Sequence, residues 1–579
     1  MKFKELAVYL DRLEKTSSRI EITKILSELF KKSDKGEIDK TVYLLLGRLA
    51  PSYEKIVFNL AERMMLRVIA EAYKKDLESV KKLYKKKGDL GIVSGELASA
   101  RGKSLSVFEV YKRLYEIAKE EGKGSQERKI VETAKLLGDL DKLSAKFVAR
   151  IPVGNLRLGF SDKTILDALS WMKKGDKSAK NDLERAYHVL PDVGFLAKNV
   201  KTYGLEGAVK KTKPKVGVPV LPMLAQRLKS PSEMIAKMER VAVEPKFDGL
   251  RISLHYKSGK SGFVKAFTRN MIETSWMFPE LKDIKKFVKA KEVILDSEAV
   301  GVDEKRMVLA TFQVTMSRRR KHEIEATAAK IPIKFQVFDL LFKDGKSYMD
   351  KTYIERRKVL EKTVRSLPAQ TGGNILQVVD YQITSDPKVI EAQMSREVKE
   401  GMEGIIIKRA NSRYVPGRTG WRWVKMKEAE SAKSKLADTL DCIVLGYTSG
   451  RGKRVGFGIG QFLVGVIDPP ADGKIRSLTK VGTGLTDVLF KELKKRLSEL
   501  EVKEKPREYE VHNDLEPDFW VRPSLVVEIA ADEITKSPKH TSGYALRFPR
   551  LVKFRDDKLL DQATTINEVK KIYKLQSKK

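Results

Sequence analysis

One lysine in this chain stands in a sequence context that suits nucleophilic chemistry. The segment VEPKFDGLR runs from a β-prone stretch into a tight turn that carries Lys246, Asp248, Gly249 and Arg251. A lysine amine can form a covalent intermediate where burial and nearby cations favour its neutral form. Glycine lets the backbone approach a ligand closely, and arginine can bind a carboxylate or a phosphate with two donors. The alternative interpretation is a hairpin turn with ordinary surface charges.

Two acidic residues occupy positions that suit a magnesium site. Glu298 ends one β-branched run and Glu403 precedes another, so both carboxylates are predicted at strand ends. Hard oxygen ligands of this kind suit a Mg²⁺ ion that bridges phosphates. Carboxylates that pair with lysines or cap turns are the alternative.

Two lysines are spaced to bind one anion. In the segment WVKMK, Lys425 and Lys427 alternate with apolar residues, so on a strand both ammonium groups face one side. Two like charges on one face are unfavourable unless an anion lies between them, and a triphosphate is such an anion.

The composition indicates a folded protein with a polyanionic partner. Lys and Arg number 115 against 78 Asp and Glu, which gives a net charge of +37. This excess favours nucleic acid first and an anionic membrane surface second, while a surface adapted to salt or heat is the alternative. The single cysteine, Cys442, excludes an internal disulfide and a cysteine-based zinc cluster. Because no apolar run reaches the ~20 residues that span a bilayer and no signal peptide is recognisable, we expect a cytoplasmic protein.

The pattern of apolar residues divides the chain into three regions, in line with about three to four domains at ~150 residues each. Residues 1–212 carry apolar residues at helical spacing, although 203–222 also has the basic, proline-bearing composition of a linker. Residues 213–430 mix β-branched runs with helical segments, which predicts an α+β domain. Residues 431–579 contain short, turn-rich strands, which predicts a small β-barrel.

These motifs resemble those of the nucleotidyltransferase superfamily that contains ATP-dependent DNA ligases, RNA ligases and mRNA capping enzymes. KFDGLR matches the nucleophile motif of that superfamily, and the other motifs follow in the same order. They are FTRN at 267–270, ILDSEAV at 294–300, FDL at 338–340, EGIIIK at 403–408, WVKMK at 423–427 and RDDK at 555–558. The last region resembles the C-terminal OB-fold barrel of archaeal DNA ligases, so the likeness covers nearly the whole chain.

The resemblance implies a role for each matched residue. Lys246 is the residue that becomes adenylated, Phe338 is the platform on which adenine stacks, and Glu298 and Glu403 bind the metal. The remaining implied nucleotide ligands are Glu244 at the adenine-recognition position, Arg251, Arg269, Glu298, Arg418, Lys425 and Lys427. Archaeal and eukaryotic ligases usually carry an arginine where this chain has Thr419, and here the arginine stands one position earlier.

Two further segments resemble parts of DNA ligases that act on DNA or pyrophosphate. FVARIPVGNLRLGFSDKTILDAL at 147–169 resembles the minor-groove-binding segment of ligase DNA-binding domains, which implies DNA contacts by Arg150, Asn155 and Arg157. Cations interleaved with glycines suit a path along phosphates. The RDDK motif implies that Arg555 and Lys558 lie on a mobile barrel, orient pyrophosphate in the first step and then withdraw.

The resemblance therefore implies an ATP-dependent DNA ligase of archaeal type, which seals 5′-phosphate/3′-hydroxyl nicks through lysyl-AMP and DNA-adenylate. ATP and Mg²⁺ are the implied cofactors, and nicked double-stranded DNA is the implied partner, in DNA replication, repair and recombination. A sliding clamp is a further candidate partner. We expect a monomer that is associated with the nucleoid and has no membrane contact.

Other functions fit the sequence less well. An RNA ligase or a GTP-dependent capping-type enzyme shares the KxDGxR pattern, but the long helical region argues against both. An NAD-dependent ligase would need a four-cysteine zinc site, which one cysteine excludes. A scaffold without activity would be expected to lack some of the residues that are intact here. Residue types alone leave the choice among ATP, ADP and GTP open.

Overall fold

The computed structural model describes the whole chain except residues 155, 157, 229, 304–307, 310–314, 316–317, 319–323, 325–327, 329, 366–373, 418–419, 428–438, 451–456, 469–472, 483–484 and 577–579. The described residues form two compact units, Met1–Met426 and Lys427–Lys579. No helix among these residues has the length and the apolar content that a membrane crossing requires.

Helices build the first part of the first unit. They are α1 (Phe3–Glu14), α2 (Arg19–Lys32), α3 (Ile38–Leu45), α4 (Glu62–Ala72), α5 (Leu77–Lys87), α6 (Leu90–Leu97), α7 (Val107–Lys119), α8 (Ser125–Gly138), α9 (Lys142–Val148), α10 (Asp162–Lys174), α11 (Lys180–Val189), α12 (Val193–Lys211) and α13 (Pro231–Met238). The apolar faces of α1–α12 share one hydrophobic core from Phe3 to Ala208, whereas Met234 and Met238 of α13 pack in a separate cluster with strands β1 (Val241–Lys246) and β10 (Gly404–Arg409). The helical spacing of apolar residues predicted this region correctly. Such spacing places the apolar residues on one face of each helix, and that face is buried against neighbouring helices.

The linker predicted from residue 203 begins later than its composition suggested. Helix α12 continues to Lys211, with a break at Gly204, whose φ of 72° lies in the left-handed region that suits glycine. The basic residues that suggested a linker include Lys210 and Lys211 in the last turn. Cations are favourable there because the carboxyl end of a helix carries partial negative charge.

The rest of the first unit combines strands with two further helices. The elements are β1 (Val241–Lys246), β2 (Leu250–Lys257), β3 (Phe263–Thr268), β4 (Glu292–Asp303), β5 (Val308–Leu309), β6 (Ile333–Lys343), β7 (Lys346–Ser347), α14 (Tyr353–Thr363), β8 (Leu376–Val378), β9 (Gln382–Thr384), α15 (Pro387–Lys399), β10 (Gly404–Arg409) and β11 (Trp423–Lys427). Within the described part of the chain, one sheet has the order β11-β10-β1-β9, and another has the order β3-β2-β4-β6-β7, with β5 beside β4 and β8 beside β6.

Strand register brings the predicted motifs together. Strand β1 runs antiparallel to β10, so that Lys246 lies opposite Gly404 and next to Glu403. Strand β2 runs antiparallel to β4, with Arg251 opposite Glu298. Because directly opposed residues of an antiparallel pair point to the same face, the register carries these side chains toward a common site.

The second unit is rich in strands, as its sequence predicts. Its elements are β12 (Leu440–Thr448), β13 (Gln461–Ile467), β14 (Ile475–Val481), α16 (Asp487–Ser498), β15 (Glu501–Val502), β16 (Tyr509–Glu510), β17 (Phe519–Val521), β18 (Val526–Ala530), β19 (Glu533–Lys536), β20 (Tyr544–Arg547), β21 (Arg550–Phe554) and α17 (Ile566–Gln576). Its main described sheet has the order β15-β17-β12-β13-β14-β16, and β18 joins β12 to β21. Strands β19 and β20 pair separately.

A fully buried ion pair joins helix α14 to strand β6. Both side chains, Arg356 and Asp339, are 0% exposed, and their two hydrogen bonds are 2.7 and 2.8 Å long. Arg356 Nη1 also donates to the carbonyl oxygens of Lys351 and Ser412. The pair therefore connects a helix, a strand and the segment after β10.

We predict that Arg356→Met lowers the apparent free energy of unfolding by about 3–5 kcal/mol, because Asp339 is left as an unpaired buried charge. Denaturant titration followed by circular dichroism measures this loss. Lys351→Ala is the control, because Lys351 pairs with Glu355 on the surface and should change the midpoint little. Equal, small effects of both substitutions would contradict a structural role for the buried pair.

Candidate active site

Lys246 ends strand β1 and is paired with the carboxylate predicted to bind metal. Its ammonium group contacts Glu403, while the amide N–H of Glu403 donates to the carbonyl oxygen of Lys246 at 3.0 Å. Both side chains are mostly buried, with 17% and 23% of their surfaces exposed. An ammonium group cannot act as a nucleophile until it loses a proton. A metal cation that bound Glu403 would compete with Lys246 for this carboxylate and would release Lys246 from the ion pair.

Glu298, opposite Arg251 on strand β4, is a partly buried carboxyl beside the same lysine. Burial raises its pKa to about 8, and Asp296 and Glu403 act in the same direction, whereas Lys246 and Arg251 oppose the shift. The neighbouring acidic groups thus favour the protonated form of Glu298. A divalent cation bound between the carboxylates would reduce the same electrostatic repulsion. Mg²⁺ is commonly held by one or two protein carboxylates together with phosphates and water, so Glu298 and Glu403 fit this ion.

Arg251 binds a carboxylate of its own chain. Its Nε and Nη2 donate to the two oxygens of Asp296 at 3.0 and 2.6 Å, and Nη1 donates to the carbonyl oxygen of Met223 at 2.6 Å. Tyr414 also donates to Asp296, at 2.9 Å. The two-donor grip predicted for this arginine is therefore used inside the protein, which fixes the guanidinium at the wall of the cavity.

Lys246, Arg251 and Glu298 line one cavity, whose space amounts to about 520 Å³ when the part open to solvent is included. Its wall includes Glu244, Lys246, Arg251, Glu298, Ile406, Val379 and the rings of Phe338 and Trp423. The two ring centroids are 5.9 Å apart in an edge-to-face arrangement. Within the described part of the protein, the buried indole Nε1 of Trp423 has no hydrogen-bond partner. Flat apolar walls with an unused donor and a buried carboxylate fit a purine nucleotide.

Glu244, in the wall of this cavity, is held by two donors. It is 2% exposed, Lys408 Nζ lies 2.7 Å from its Oε2, and the hydroxyl of Tyr353 donates to its Oε1. Lys408 received no role from its sequence context, although a lysine within a buried isoleucine strand indicates a paired charge. Tyr353 could not be found from the sequence, because a tyrosine at the start of an amphipathic helix is typical of core and its partner is 109 positions away.

Other predicted nucleotide ligands lie outside the wall of this cavity. Arg269 follows β3 and lines a smaller neighbouring cavity, of which Arg251 and Asp296 are also part. Lys425 lies on β11, two residues after Trp423 and hence on the same face of the strand. Lys427 ends that strand and begins the second unit, and Arg418 lies outside the described residues.

The predicted DNA contacts in the helical region are only partly described. Arg150 is 2% exposed and donates to Asp89 at 3.0 Å and to Glu14 at 2.9 Å. Its guanidinium thus joins α1, α6 and the end of α9, which does not fit the expected contact with DNA phosphates, because a buried charge must keep its internal partners. Asn155 and Arg157 lie outside the described residues.

In the second unit, the two basic residues of the RDDK motif share one carboxylate. Arg555 Nη1 is 2.8 Å and Lys558 Nζ is 2.7 Å from the two oxygens of Asp441. Arg555 also forms two hydrogen bonds to Asp557, at 2.8 and 2.7 Å. Both cations are therefore neutralised within their own unit in this conformation.

Comparison with protein families finds a DNA ligase family in each of three parts of the chain. Residues 2–170 match the family described as DNA ligase N terminus, and residues 222–427 match the ATP dependent DNA ligase domain. Residues 456–558 match the ATP dependent DNA ligase C terminal region. The three matches follow one another in the order of the three predicted regions.

Similar curated proteins cover the whole chain. A probable DNA ligase of Dictyoglomus turgidum is 40% identical over 587 residues, which span 100% of this chain and 98% of that protein. A DNA ligase of Sulfolobus acidocaldarius is 36% identical over 607 residues, which span 100% of this chain and 99% of that protein. Among solved structures, Pmar-Lig_PreS3 covers 95% of this chain and 99% of its own, with a TM-score of 0.54 and 18% identity, and thus shares its fold.

The raised pKa of Glu298 predicts a pH-dependent stability. The native carboxyl keeps its proton up to about pH 8, whereas an unfolded one loses it near its ordinary value of 4.5. Between these values the native state binds more protons, so stability falls as pH rises, by up to about 1 kcal/mol per pH unit. Glu298→Gln should remove this slope.

Denaturant titrations from pH 5 to pH 8 in the presence of EDTA test this expectation. The stability of Glu298→Gln relative to the unsubstituted protein should increase steadily across that range. Glu280→Gln is a suitable control for the loss of a carboxylate, because Glu280 is paired with Arg318. A difference between Glu298→Gln and the unsubstituted protein that does not vary with pH would contradict the shifted pKa.

Proposed function

The chain belongs to the family of ATP-dependent DNA ligases, enzymes that seal nicks in duplex DNA with ATP, and we propose that Lys246 is its nucleophile. The observation that carries this proposal is that Lys246 lines the same cavity as Glu244 and Phe338, with Glu298 and Glu403 beside it. A reactive amine, acidic metal ligands and a base pocket are the groups that adenylyl transfer requires.

In the first step, the neutral amine of Lys246 attacks the α-phosphorus of ATP. A nitrogen–phosphorus bond forms, the bond to the β-phosphate breaks, and pyrophosphate leaves. Before the attack the ion pair with Glu403 opens and the ammonium group of Lys246 gives its proton to water. Catalysis of this kind depends mainly on positioning and charge stabilisation.

The next two steps transfer and release AMP. An oxygen of the 5′-phosphate at the nick attacks the lysyl-AMP phosphorus, which frees Lys246 and forms DNA-adenylate. The 3′-hydroxyl then attacks the 5′-phosphorus, the phosphodiester forms, and AMP leaves. RNA ends or a cap would be the acceptor in the alternative enzymes, and the match of residues 2–170 to the DNA ligase N terminus favours DNA.

Glu298 and Glu403 would hold Mg²⁺, which supplies positive charge to the reacting phosphates when it is bound. Glu244 and Phe338 would bind the adenine, Arg251 would shape the wall of the cavity, and Lys246 would lie at the α-phosphate. The remaining proposed phosphate ligands are Arg269, Arg418, Lys425 and Lys427.

We also propose how the regions act on DNA. The domains would span residues 1–212, 213–430 and 431–579, the last with an OB-fold. Asn155 and Arg157 would contact the minor groove, while Arg150 anchors the segment that carries them through Asp89. The enzyme would act as a monomer at the nucleoid in replication, repair and recombination, with a sliding clamp as a candidate partner.

Substitution of the nucleophile tests the proposal directly. Lys246→Ala should abolish lysyl-AMP formation from labelled ATP and reduce nick sealing by at least about 1,000-fold, because no other group replaces the attacking amine. DNA binding, measured by fluorescence anisotropy, should persist. Lys237→Ala is the matched control, because Lys237 pairs with Glu233 on helix α13 and should leave sealing unchanged.

The assay uses a nicked duplex with a labelled 5′-phosphate, Mg²⁺, and ATP, NAD or no nucleotide. Sealing with ATP alone is the expected result. Normal lysyl-AMP formation by Lys246→Ala would overturn the assignment of the nucleophile. A covalent nucleotide without any sealing of DNA would favour RNA ends or capping instead.

The RDDK motif predicts a defect confined to one step. Arg555→Ala should slow lysyl-AMP formation about 10- to 100-fold, because a cation that would orient pyrophosphate is lost. Sealing of a nick that already carries adenylate should change little. Arg550→Ala, which removes an exposed arginine of the same segment, should affect neither rate. Equal losses in both assays after Arg555→Ala would contradict a role in the first step alone.

A further inference from the structure

The carboxylate of Glu244 has a donor on each oxygen. Lys408 approaches Oε2 at 2.7 Å and Tyr353 donates to Oε1, and all three residues are buried, with at most 3% of a side chain exposed. A carboxylate oxygen has two lone pairs, so acceptor capacity is left over on the side that lines the cavity. The two donors occupy one side of the carboxylate and leave its remaining lone pairs to accept hydrogen bonds from a ligand in the cavity.

The hydroxyl of Tyr353 can serve Glu244 only as a donor. Burial and the neighbouring charge of Glu244 raise the pKa of Tyr353 well above its ordinary value, so the hydroxyl keeps its hydrogen. Burial lowers the pKa of Lys408, while the neighbouring charge of Glu244 opposes this shift, and the ammonium group 2.7 Å from Glu244 offers only donors. Both partners therefore use the carboxylate of Glu244 as an acceptor.

The surroundings of Tyr353 restrict its movement. It is the first residue of helix α14, whose start is capped by Thr352 and Glu355 in reciprocal hydrogen bonds. The ring lies 5.0 Å from Lys408 Nζ and 6.1 Å from the ring of Tyr381. The ion pair of Arg356 with Asp339 fixes the same turn of the helix. These contacts hold the hydroxyl of Tyr353 in position beside Glu244.

We propose that Tyr353 is a positioning residue that aims Glu244 at the exocyclic amine of adenine and so sets the preference for ATP over GTP. This inference rests on the proposed binding of a nucleotide in this cavity. Adenine presents an amino donor at its C6 position, whereas guanine presents a carbonyl acceptor there. A carboxylate held in place attracts the first and repels the second.

Binding measured with EDTA present, so that no covalent transfer follows, tests the proposal. The probes are ATP, GTP and purine riboside triphosphate, which lacks the exocyclic amine. The unsubstituted protein should bind ATP about tenfold more tightly than purine riboside triphosphate, and Tyr353→Phe should reduce this ratio to about two- to threefold. The preference for ATP over GTP should shrink in the same variant.

Tyr381→Phe is the matched control, because it removes the hydroxyl of the tyrosine that packs against Tyr353 and should leave both ratios unchanged. In the presence of Mg²⁺, Tyr353→Phe should raise KM for ATP about fivefold in lysyl-AMP formation and keep kcat within about twofold. A variant that merely loosens the fold would weaken all three nucleotides equally.

Equal ATP-to-purine-riboside ratios in the unsubstituted protein and Tyr353→Phe would overturn the proposal, and so would uniform weakening of all three nucleotides. The binding assay does not depend on the nucleophile. Amine-dependent binding that is lost in Tyr353→Phe would therefore support this inference even if Lys246 proved not to be the attacking residue.

Discussion

Charged groups that leave water need partners inside the protein, and this constraint organises the first unit. The fully buried pair of Arg356 and Asp339 fixes helix α14 against strand β6. The pair of Lys408 and Glu244 then joins β10 to β1 in the wall of the cavity. Because helix α14 carries Tyr353 to that second pair, the wall of the cavity depends on an ion pair that does not itself line it.

The same constraint explains why reactive groups are paired in this conformation. Lys246 contacts Glu403, and Arg555 with Lys558 contacts Asp441. Each cation is thereby stabilised without a phosphate, and each pairing has to open before the group can act on one. In a chain with a net charge of +37, the cations proposed to act in the reaction are thus balanced by local carboxylates, while the excess charge favours binding of DNA.

Arg150 shows how far a plausible motif can differ from the observed contact. Its place in a basic, glycine-containing segment predicts a phosphate contact, yet its guanidinium is buried against Asp89 and Glu14, 61 and 136 positions away. Arg251 was expected to bind a carboxylate or a phosphate with two donors, and in this structure it binds the carboxylate of Asp296. For both arginines the anion in contact belongs to the chain itself.

The sequence by itself determined the family, the nucleophile candidate, the order of helical and strand-rich regions and the sign of the charge, because motifs and apolar periodicity are properties of neighbouring residues. Only the tertiary structure decided which charges meet. The contact of Tyr353 with Glu244 spans 109 positions, and the raised pKa of Glu298 arises from burial beside Asp296 and Glu403. Such pairings depend on strand register and helix packing, which bring together side chains that no local pattern connects.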